Sequence, residues 1–266
     1  MITLSSDFGS PYPAAMKGVV LRNSDARLVD ISHDFPRQDV RATAFWLREV
    51  VPYFPPAVHL VVVDPGVGTD RRALVVRAGG HVFVAPDNGV VLPAARRLGD
   101  VEAFTVAFDQ GDPTDPTPET DDWPPEPDSR TFHGRDLFAP VAAHVHDAGL
   151  DSFEADDAFE RTDDYEAVTF PDPTIDDDGA VGEALTIDGF GNVITNIPGT
   201  VLTGRYGDYV QANGISATVR RSYAEVEESH RVVTVGSHGN VELAVNQGRG
   251  ADTFGVNVGG RVRLAW

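Results

Sequence analysis

Apolar and polar positions alternate along the first part of the chain in a way that predicts strands and helices in turn. Strands are predicted at residues 2–4, 26–31, 59–63, 73–77, 81–85 and 101–107, and helices at residues 14–23, 39–50, 90–98 and 131–146. Val40, Ala44 and Leu47 recur at helical spacing on one face. The continuous apolar run at 59–63 is typical of a strand buried on both faces of a parallel sheet. The pattern therefore predicts an α/β domain, a mostly parallel sheet with flanking helices.

The pattern changes after Ala180, where short apolar segments are separated by glycine turns and helical spacing is absent. Strands are predicted there at residues 183–187, 193–197, 209–212, 216–219, 231–235, 241–245 and 261–266. Seven short strands without helices predict a small all-β barrel or sandwich. We expect an α/β domain over residues 1–172 and an all-β domain, a barrel or a sandwich, over 173–266.

Two acidic segments interrupt these elements. Residues 109–129 are rich in proline and acidic side chains and contain few apolar residues, so they predict a solvated loop of the first domain. Residues 151–178 are also acidic and rich in turn-forming residues, and we interpret them as the inter-domain linker.

The net charge of the chain limits the kinds of molecule that it can bind. The 41 acidic residues, 29 Asp and 12 Glu, outnumber 20 Arg and a single lysine, Lys17, and give a formal net charge of −20. Such a field opposes binding to nucleic acid or to anionic membranes. The excess of aspartate and near-absence of lysine indicate adaptation to a salt-rich, halophilic cytoplasm.

The sequence favours a cytoplasmic protein. It has no apolar run of 18 residues, and its N-terminus lacks the basic and apolar regions of a signal peptide. The absence of cysteine excludes disulfides, thiolate catalysis and cysteine metal sites, and it fits a cytosolic location.

Three polar segments are candidates for chemistry, and each has a structural alternative. Residues 63–71 place Asp64 at a strand end before a glycine-bearing turn, which suits a ligand site or an ordinary turn that Asp64 caps. Residues 131–136 are a polar cluster before an apolar helix, either a site or a capping group with a surface histidine. Residues 187–197 suit a tight hairpin or recognition of the edge of a base. Asp7 also follows a predicted strand, where α/β sheets bind ligands.

Other familiar chemistries lack their motifs. The chain contains no P-loop, no Gly-x-Ser-x-Gly elbow and no clear Rossmann glycine fingerprint. His144 and His146 would lie about 200° apart on a helix, which is poor geometry for a shared metal. We therefore expect neither a metal site nor a cofactor. Histidines without partners at suitable spacing are predicted to be structural or surface residues: His33, His59, His81 and His230.

In combination, the motifs resemble the S-adenosylmethionine (SAM) hydroxide adenosyltransferases, also called SAM hydrolases, which are related to the bacterial fluorinases and chlorinases. The matching segments are residues 3–9 (TLSSDFG), 16–18 (MKG), 30–33 (DISH), 63–69 (VDPGVGT), 85–89 (APDNG), 132–136 (FHGRD), 188–197 (DGFGNVITNI) and 242–248 (ELAVNQG). Any one motif is moderately specific, whereas their occurrence in order over nearly the whole chain is strongly indicative.

The resemblance implies attack of water or hydroxide on C5′ of SAM, giving adenosine and L-methionine, with SAM as substrate and no cofactor. It implies that the C-terminal domain over 173–266 is a β-barrel. It also implies a homotrimer whose active sites lie between the N-terminal domain of one subunit and the C-terminal domain of a neighbour. The implied catalytic residues are Asp64, Arg71 and His133. The implied substrate contacts are Asp7 for the ribose, Asn192, Val245 and Asn246 for the adenine, and Asp188, Ser237 and Glu242 for the methionine portion.

These residue types suit the reaction. The sulfur leaves as a neutral thioether and needs no acid, whereas water must be oriented and lose a proton to a carboxylate or an imidazole. Asp64 would oppose a halide in the same place, because both are anions. The resemblance also implies that halogenases carry a tyrosine at this position and a serine near Gly134. The alternative function is a non-catalytic sensor that binds SAM or adenosine.

Two departures from the family pattern concern the methionine end of the site. The loop at residues 10–13 is about two residues shorter than usual, and it lacks an aspartate expected to face the methionine amine. His238 stands where a small residue or an arginine is expected. We therefore expect altered recognition at this end of the substrate.

Overall fold

A computed structural model describes residues 1–107, 123 and 130–266, which form two compact units, Met1–Val168 and Thr169–Trp266. The sequence-based boundary lies four residues later, between 172 and 173. The acidic loop predicted at 109–129 lies outside the described residues, with the exception of Trp123, whose ring stacks on His144 with centroids 3.9 Å apart.

The N-terminal unit contains a seven-stranded sheet and four α-helices within the described residues. The strands are β1 (Ile2–Ser6), β2 (Leu28–Ser32), β3 (Val58–Val62), β4 (Ala73–Ala78), β5 (His81–Pro86), β6 (Glu102–Val106) and β7 (Phe159–Thr162). The helices are α1 (Tyr12–Asn23), α2 (Val40–Val50), α3 (Leu92–Leu98) and α4 (Ala139–Ala148).

The sheet has the strand order β2-β1-β3-β5-β4-β6-β7. Strands β2, β1, β3 and β5 are parallel to one another. Strand β4 is antiparallel to both β5 and β6, so β6 runs in the same direction as β5. Five of the seven strands therefore point one way, and the predicted α/β domain with a mostly parallel sheet is confirmed.

Helices cover both faces of this sheet. On one face α1 packs against α4, over a core that includes Ile2, Leu4 and Leu60. On the other face α2 packs against α3, over Val61 and Phe83. Burial on both faces explains why the central strands carry continuous apolar runs rather than an alternating pattern.

The C-terminal unit is a closed barrel. Its strands are β8 (Thr174–Asp176), β9 (Gly179–Ile187), β10 (Val193–Pro198), β11 (Tyr209–Ala212), β12 (Ile215–Val219), β13 (Arg231–Val235), β14 (Asn240–Val245) and β15 (Arg261–Ala265). The order β10-β14-β13-β12-β11-β15-β9 closes on itself because β9 also pairs with β10, and β8 adds to β9 outside the ring. The predicted seven-stranded barrel is confirmed.

Two expectations about the second half of the chain are wrong. The segment 151–178 is not a continuous linker, because β7 joins the N-terminal sheet and β8 joins the barrel strand β9. The barrel unit is also not free of helices, since α5 (Gly250–Phe254) and short 3₁₀ turns connect its strands.

Candidate active site

The carboxyl ends of β1 and β3 meet at the point where the strand order reverses. From β1 the chain moves outward to β2, and β3 then returns to the other side of β1. Ligand sites of open α/β sheets lie at such a reversal. Asp7 directly follows β1 and Asp64 follows β3 by two residues, and the register pairs Ser6 with Val62. The sequence-predicted carboxylates therefore flank the reversal.

Asp64 has both of the roles that its sequence position allowed, since it caps its own turn and belongs to the candidate site. Its Oδ1 accepts a hydrogen bond from the backbone N–H of Gly66 at 3.2 Å, so the carboxylate caps its own turn. Its Oδ2 accepts from Nη2 of Arg71 at 2.5 Å. The side chains of Asp64 and Arg71 are only 4% and 9% exposed, so this ion pair is buried.

Arg71 joins Asp64 to His133. Its Nη2 also lies 3.1 Å from Nδ1 of His133, and its Nη1 donates to the carbonyl of Arg72 at 2.9 Å. The guanidinium carbon lies 5.0 Å from the centroid of the Phe138 ring, within the range of a cation–π contact. The guanidinium is therefore fixed, and the predicted residues Asp64, Arg71 and His133 converge.

His133 is buried at the start of a π-helical turn, Gly134–Phe138, which leads into α4. Such turns are rare and occur often at functional sites. The alternative of a capping group with a surface histidine is wrong here, because the ring is buried and makes no side-chain cap.

Burial sets the protonation behaviour of this cluster. It raises the pKa of Asp64, opposed by the charge of Arg71, and it lowers the pKa of Arg71. It also lowers the pKa of His133, an effect that the charge of Arg71 reinforces. His133 is thus neutral at pH 7, and since a guanidinium only donates, Nδ1 of His133 must accept. The ring proton is accordingly assigned to Nε2 from the hydrogen-bond partner.

Asp7, Asp64 and His133 line one cavity of about 520 Å³, and Arg71 lies behind its wall, bound to Asp64 and His133. Aromatic side chains of Phe8, Tyr12 and Phe132 form part of its wall. Oδ2 of Asp7 accepts from the backbone N–H of Gln38 at 2.6 Å, which orients the carboxylate. Gln38 has a φ of 58°, and no sequence signal revealed this role, because the contact comes from the backbone of a non-glycine residue in the left-handed region.

The segment 85–89 holds the end of β3 in place. Asn88 donates through Nδ2 to the carbonyl of Val63 at 2.9 Å, next to Asp64. Asp87 binds Arg72 at 2.7 Å and accepts the backbone N–H of Glu166 at 2.8 Å. Asp87 and Asn88 therefore support the strand end next to Asp64 and do not line the cavity.

A second cavity, of about 570 Å³, lies within the barrel unit and contains four of the predicted residues, Asp188, Asn192, Val245 and Asn246. Asp188 and Asn192 close the β9–β10 hairpin, as Asp188 N–H donates to the Asn192 carbonyl at 3.1 Å. The predicted hairpin and the predicted ligand surface thus coincide. The side-chain amide of Asn246 donates to the carbonyl of Val226 at 2.8 Å.

The two remaining predicted residues do not line that cavity. Glu242 is buried in β14, where its Oε1 accepts from the hydroxyl of Tyr223 at 2.7 Å. Ser237 is exposed in the turn between β13 and β14. Tyr223 lines the cavity and was missed, because a tyrosine in a polar loop carries no distinguishing sequence pattern.

Neither a metal-binding cluster nor a membrane-spanning helix occurs in the part of the chain that the structure describes. It contains no group of three or more His, Asp or Glu side chains arranged to hold a metal ion. Within the same residues, no helix has both the length and the apolar character needed to cross a bilayer.

The fold and the sites define a two-domain α/β and β-barrel protein with a buried carboxylate–guanidinium–imidazole cluster at the sheet reversal. This chain belongs to the SAM hydroxide adenosyltransferase family: residues 2–154 match the family's N-terminal domain and residues 182–263 match its C-terminal domain.

Similar proteins include enzymes named (R)-S-adenosyl-L-methionine hydrolase. The one from Salinispora tropica is 38% identical, over 99% of this chain and 97% of the relative, and the one from Thermus thermophilus is 38% identical over 97% of each. A protein of Thermotoga maritima described as uncharacterized and conserved has a crystal structure with a TM-score of 0.83, at 33% identity and full coverage of both chains. A fluorinase of Nocardia brasiliensis is 29% identical over 76% of this chain and 72% of its own length.

Proposed function

We propose that this protein hydrolyses SAM at C5′ to give adenosine and L-methionine. The observation that carries the proposal is that Asp64 and His133, joined by Arg71, line one cavity together with Asp7. The names of the similar enzymes support it, since they are SAM hydrolases at 31–39% identity over most of the chain.

In the proposed reaction the oxygen of a water molecule forms a bond to C5′. The C5′–S bond breaks, and its electron pair stays on sulfur, which becomes the neutral thioether of methionine. The water loses a proton, and alignment of water, C5′ and sulfur supplies the orientation that such a displacement requires. No acid is needed for the leaving group, so the catalytic side chains act on the attacking water.

Asp64 is the proposed proton acceptor. Burial raises the pKa of its carboxyl group, which makes it a stronger base than an exposed aspartate. Nε2–H of His133 lies on the ring side opposite Nδ1 and would donate to the water oxygen, holding a lone pair toward C5′. Arg71 acts as a positioning residue that holds both partners.

The substrate contacts follow from the two cavities. Asp7, oriented by the backbone of Gln38, would accept the ribose hydroxyls. In the barrel unit, Asn192, Val245 and Asn246 would contact the adenine. Asp188, which lines the barrel cavity, would face the methionine portion, and the family resemblance assigns Ser237, in the turn outside that cavity, to the same portion. The contacts of Glu242 support a different role.

We further propose a cytoplasmic homotrimer, in which the N-terminal unit of one subunit and the C-terminal unit of a neighbour complete each site. Closed cyclic symmetry is usual for soluble oligomers. Light scattering in molar KCl should give the mass of a trimer, and an active monomer would contradict the shared site. Activity should also persist in EDTA, because we propose neither a metal nor a cofactor.

The test of the reaction is incubation with SAM in molar KCl and in water enriched in oxygen-18. Because the similar enzymes are named for the (R) form, the two sulfonium epimers are assayed separately. Attack at C5′ predicts equal amounts of adenosine and methionine, with the label in adenosine. Tight retention of SAM without turnover would instead support a sensor, and a 5′-halogenated nucleoside would support a halogenase.

A further inference from the structure

Asn192 is held by Asp188 at two points. Its backbone N–H donates to Oδ1 of Asp188 at 2.8 Å, and its side-chain Nδ2 donates to Oδ2 at 3.0 Å. The Asn192 residue is only 6% exposed, yet it lines the cavity of the barrel unit. The position of the amide group is therefore fixed on the side that faces Asp188.

Glu242 approaches the same amide from β14. The residue is 4% exposed, and its carboxylate accepts hydrogen bonds from the hydroxyl of Tyr223, at 2.7 Å, and from the side chain of Asn192. Burial raises the pKa of Tyr223, so its phenol keeps its proton and donates. Tyr223 thus binds the same Glu242 carboxylate that accepts from Asn192.

These contacts determine which atom of the amide is available to a ligand. Ionised carboxylates only accept hydrogen bonds, and Nδ2 is the only donor atom of an asparagine side chain. Both of its N–H groups are directed at the carboxylates of Asp188 and Glu242. The remaining atom, Oδ1 of Asn192, is an acceptor, and a flipped amide would place this oxygen against two carboxylates.

We propose that Glu242 and Tyr223 are positioning residues that keep Oδ1 of Asn192 available to the ligand in the barrel cavity. This proposal rests on the proposed function, in which that cavity receives a nucleoside base. A purine with an exocyclic amine can donate a hydrogen bond to Oδ1 of Asn192. A purine with an oxo group at that position places an acceptor against Oδ1, and no hydrogen bond forms. The cavity should therefore select amino over oxo purines by about 10- to 100-fold, the scale of one unsatisfied buried hydrogen bond.

The experiment compares equilibrium binding of adenosine and inosine, by calorimetry in molar KCl, for the intact protein and two variants. Glu242→Gln supplies an amide that can itself donate to Asn192, so the adenosine-to-inosine affinity ratio should fall toward one. Tyr223→Phe keeps the ring and removes only the hydroxyl, and its ratio should fall by a smaller factor. A purely structural role would weaken both nucleosides equally and leave the ratio unchanged.

Matched controls are Glu227→Gln and Tyr209→Phe, which make the same changes at exposed positions outside the cavity and should keep the ratio of the unaltered protein. Near-ultraviolet circular dichroism checks folding, and Tyr223→Phe decides the question if Glu242→Gln does not fold. Folded variants of Glu242 and Tyr223 that keep the original ratio would overturn the proposal.

Failure of the reaction is separable from failure of this proposal. A protein that prefers adenosine but does not hydrolyse SAM contradicts the proposed function alone. A protein that hydrolyses SAM but binds adenosine and inosine equally contradicts the positioning role alone. Binding of neither nucleoside overturns the positioning role as well, whatever the outcome with SAM.

Discussion

Nη2 of Arg71 lies 3.1 Å from Nδ1 of His133, and the same nitrogen lies 2.5 Å from Oδ2 of Asp64. Nη2 of Arg71 thus links the candidate base Asp64 to the imidazole of His133 and restricts the positions of both side chains. Because Arg71 cannot accept, the contact excludes the Nδ1–H form of neutral His133. The tautomer, the pH dependence and the coupling between Asp64 and His133 all follow from this arrangement.

The first prediction concerns the tautomer of His133. With imidazole nitrogen-15 labelling, NMR at pH 7 should show a protonated Nε2 and an unprotonated Nδ1 for this residue. Its pKa should lie below the ordinary value of 6.5, because burial and Arg71 both disfavour the imidazolium. Arg71→Lys, which cannot span both partners in the same planar geometry, should mix the tautomers. A dominant Nδ1–H signal in the unaltered protein would refute the assignment.

A second prediction concerns coupling in catalysis. Asp64→Asn and His133→Ala should each lower kcat by about 10²- to 10⁴-fold, the usual scale for a proton-transfer group. The double variant should lose much less than the product of the two factors, because residues that act as a unit are not additive. Single-turnover release of adenosine measures this beside SAM binding, which His133→Ala should leave nearly unchanged. Near-normal turnover in both single variants would reject the site.

The third prediction is the acid limb of the pH profile. Activity requires ionised Asp64 and neutral His133, so it is present above both pKa values and lost as pH falls through them. The pKa of His133 is lowered from 6.5, so protonation of its ring should affect activity only below pH 6.5. The pKa of Asp64 is raised from 3.8, so its protonation should act at a higher pH than that of an exposed aspartate. It is measured as kcat against pH in constant KCl. A midpoint above pH 6.5 would exclude His133 as the group that controls the limb.

Much of the fold was accessible from the sequence because burial leaves a periodic signal. All seven ring strands of the barrel are apolar segments, and most of the connections between them contain glycine. Strand β8 was missed because its three residues are all exposed and therefore carry no apolar pattern. Strand β7 was missed because it lies at the sheet edge within an acidic segment.

The residues of the candidate site were likewise predictable only where the sequence carries a pattern. Asp7 and Asp64 were marked by strand ends, whereas the convergence of Arg71 with His133 followed only from family resemblance. The role of Gln38 comes from its backbone, which composition does not encode. His59 seemed to lack a partner because its neighbours depend on strand register, which pairs it with Thr3 across β1 and β3.

The fourth prediction tests the backbone contact of Gln38 with Asp7. Gln38→Gly keeps the N–H and suits a φ of 58°, so kcat/KM should stay within about twofold. Gln38→Pro removes the N–H and imposes a negative φ, and KM for SAM should rise by about 10-fold or more, the effect of one lost hydrogen bond to a charged group. Thermal unfolding checks that both variants fold. Equal losses in the two variants would assign the effect to the Gln38 side chain instead.

The last prediction concerns a buried histidine pair in the N-terminal unit that the proposed reaction does not use. Nδ1 of His59 lies 2.7 Å from Oγ1 of Thr3, and its Nε2 lies 2.9 Å from Nδ1 of His81. The rings of Phe54 and Phe83 also contact His59, so its near neighbours offer no negative charge. Burial, reinforced by His81, lowers the pKa of His59 to about 3.

The unfolded chain therefore binds a proton at His59 near pH 6.5, whereas the folded chain does not until about pH 3. The stability that depends on neutral His59 is present above pH 6.5 and is lost as pH falls toward 3. Between pH 7 and pH 5 this linkage should lower the free energy of unfolding by about 2 kcal/mol. His59→Gln keeps a neutral hydrogen-bonding side chain and should remove that pH-dependent loss, while the exposed control His230→Gln should retain it. Urea unfolding at both pH values, in constant KCl, measures the difference, and an unchanged pH dependence in His59→Gln would show that the acid sensitivity arises elsewhere.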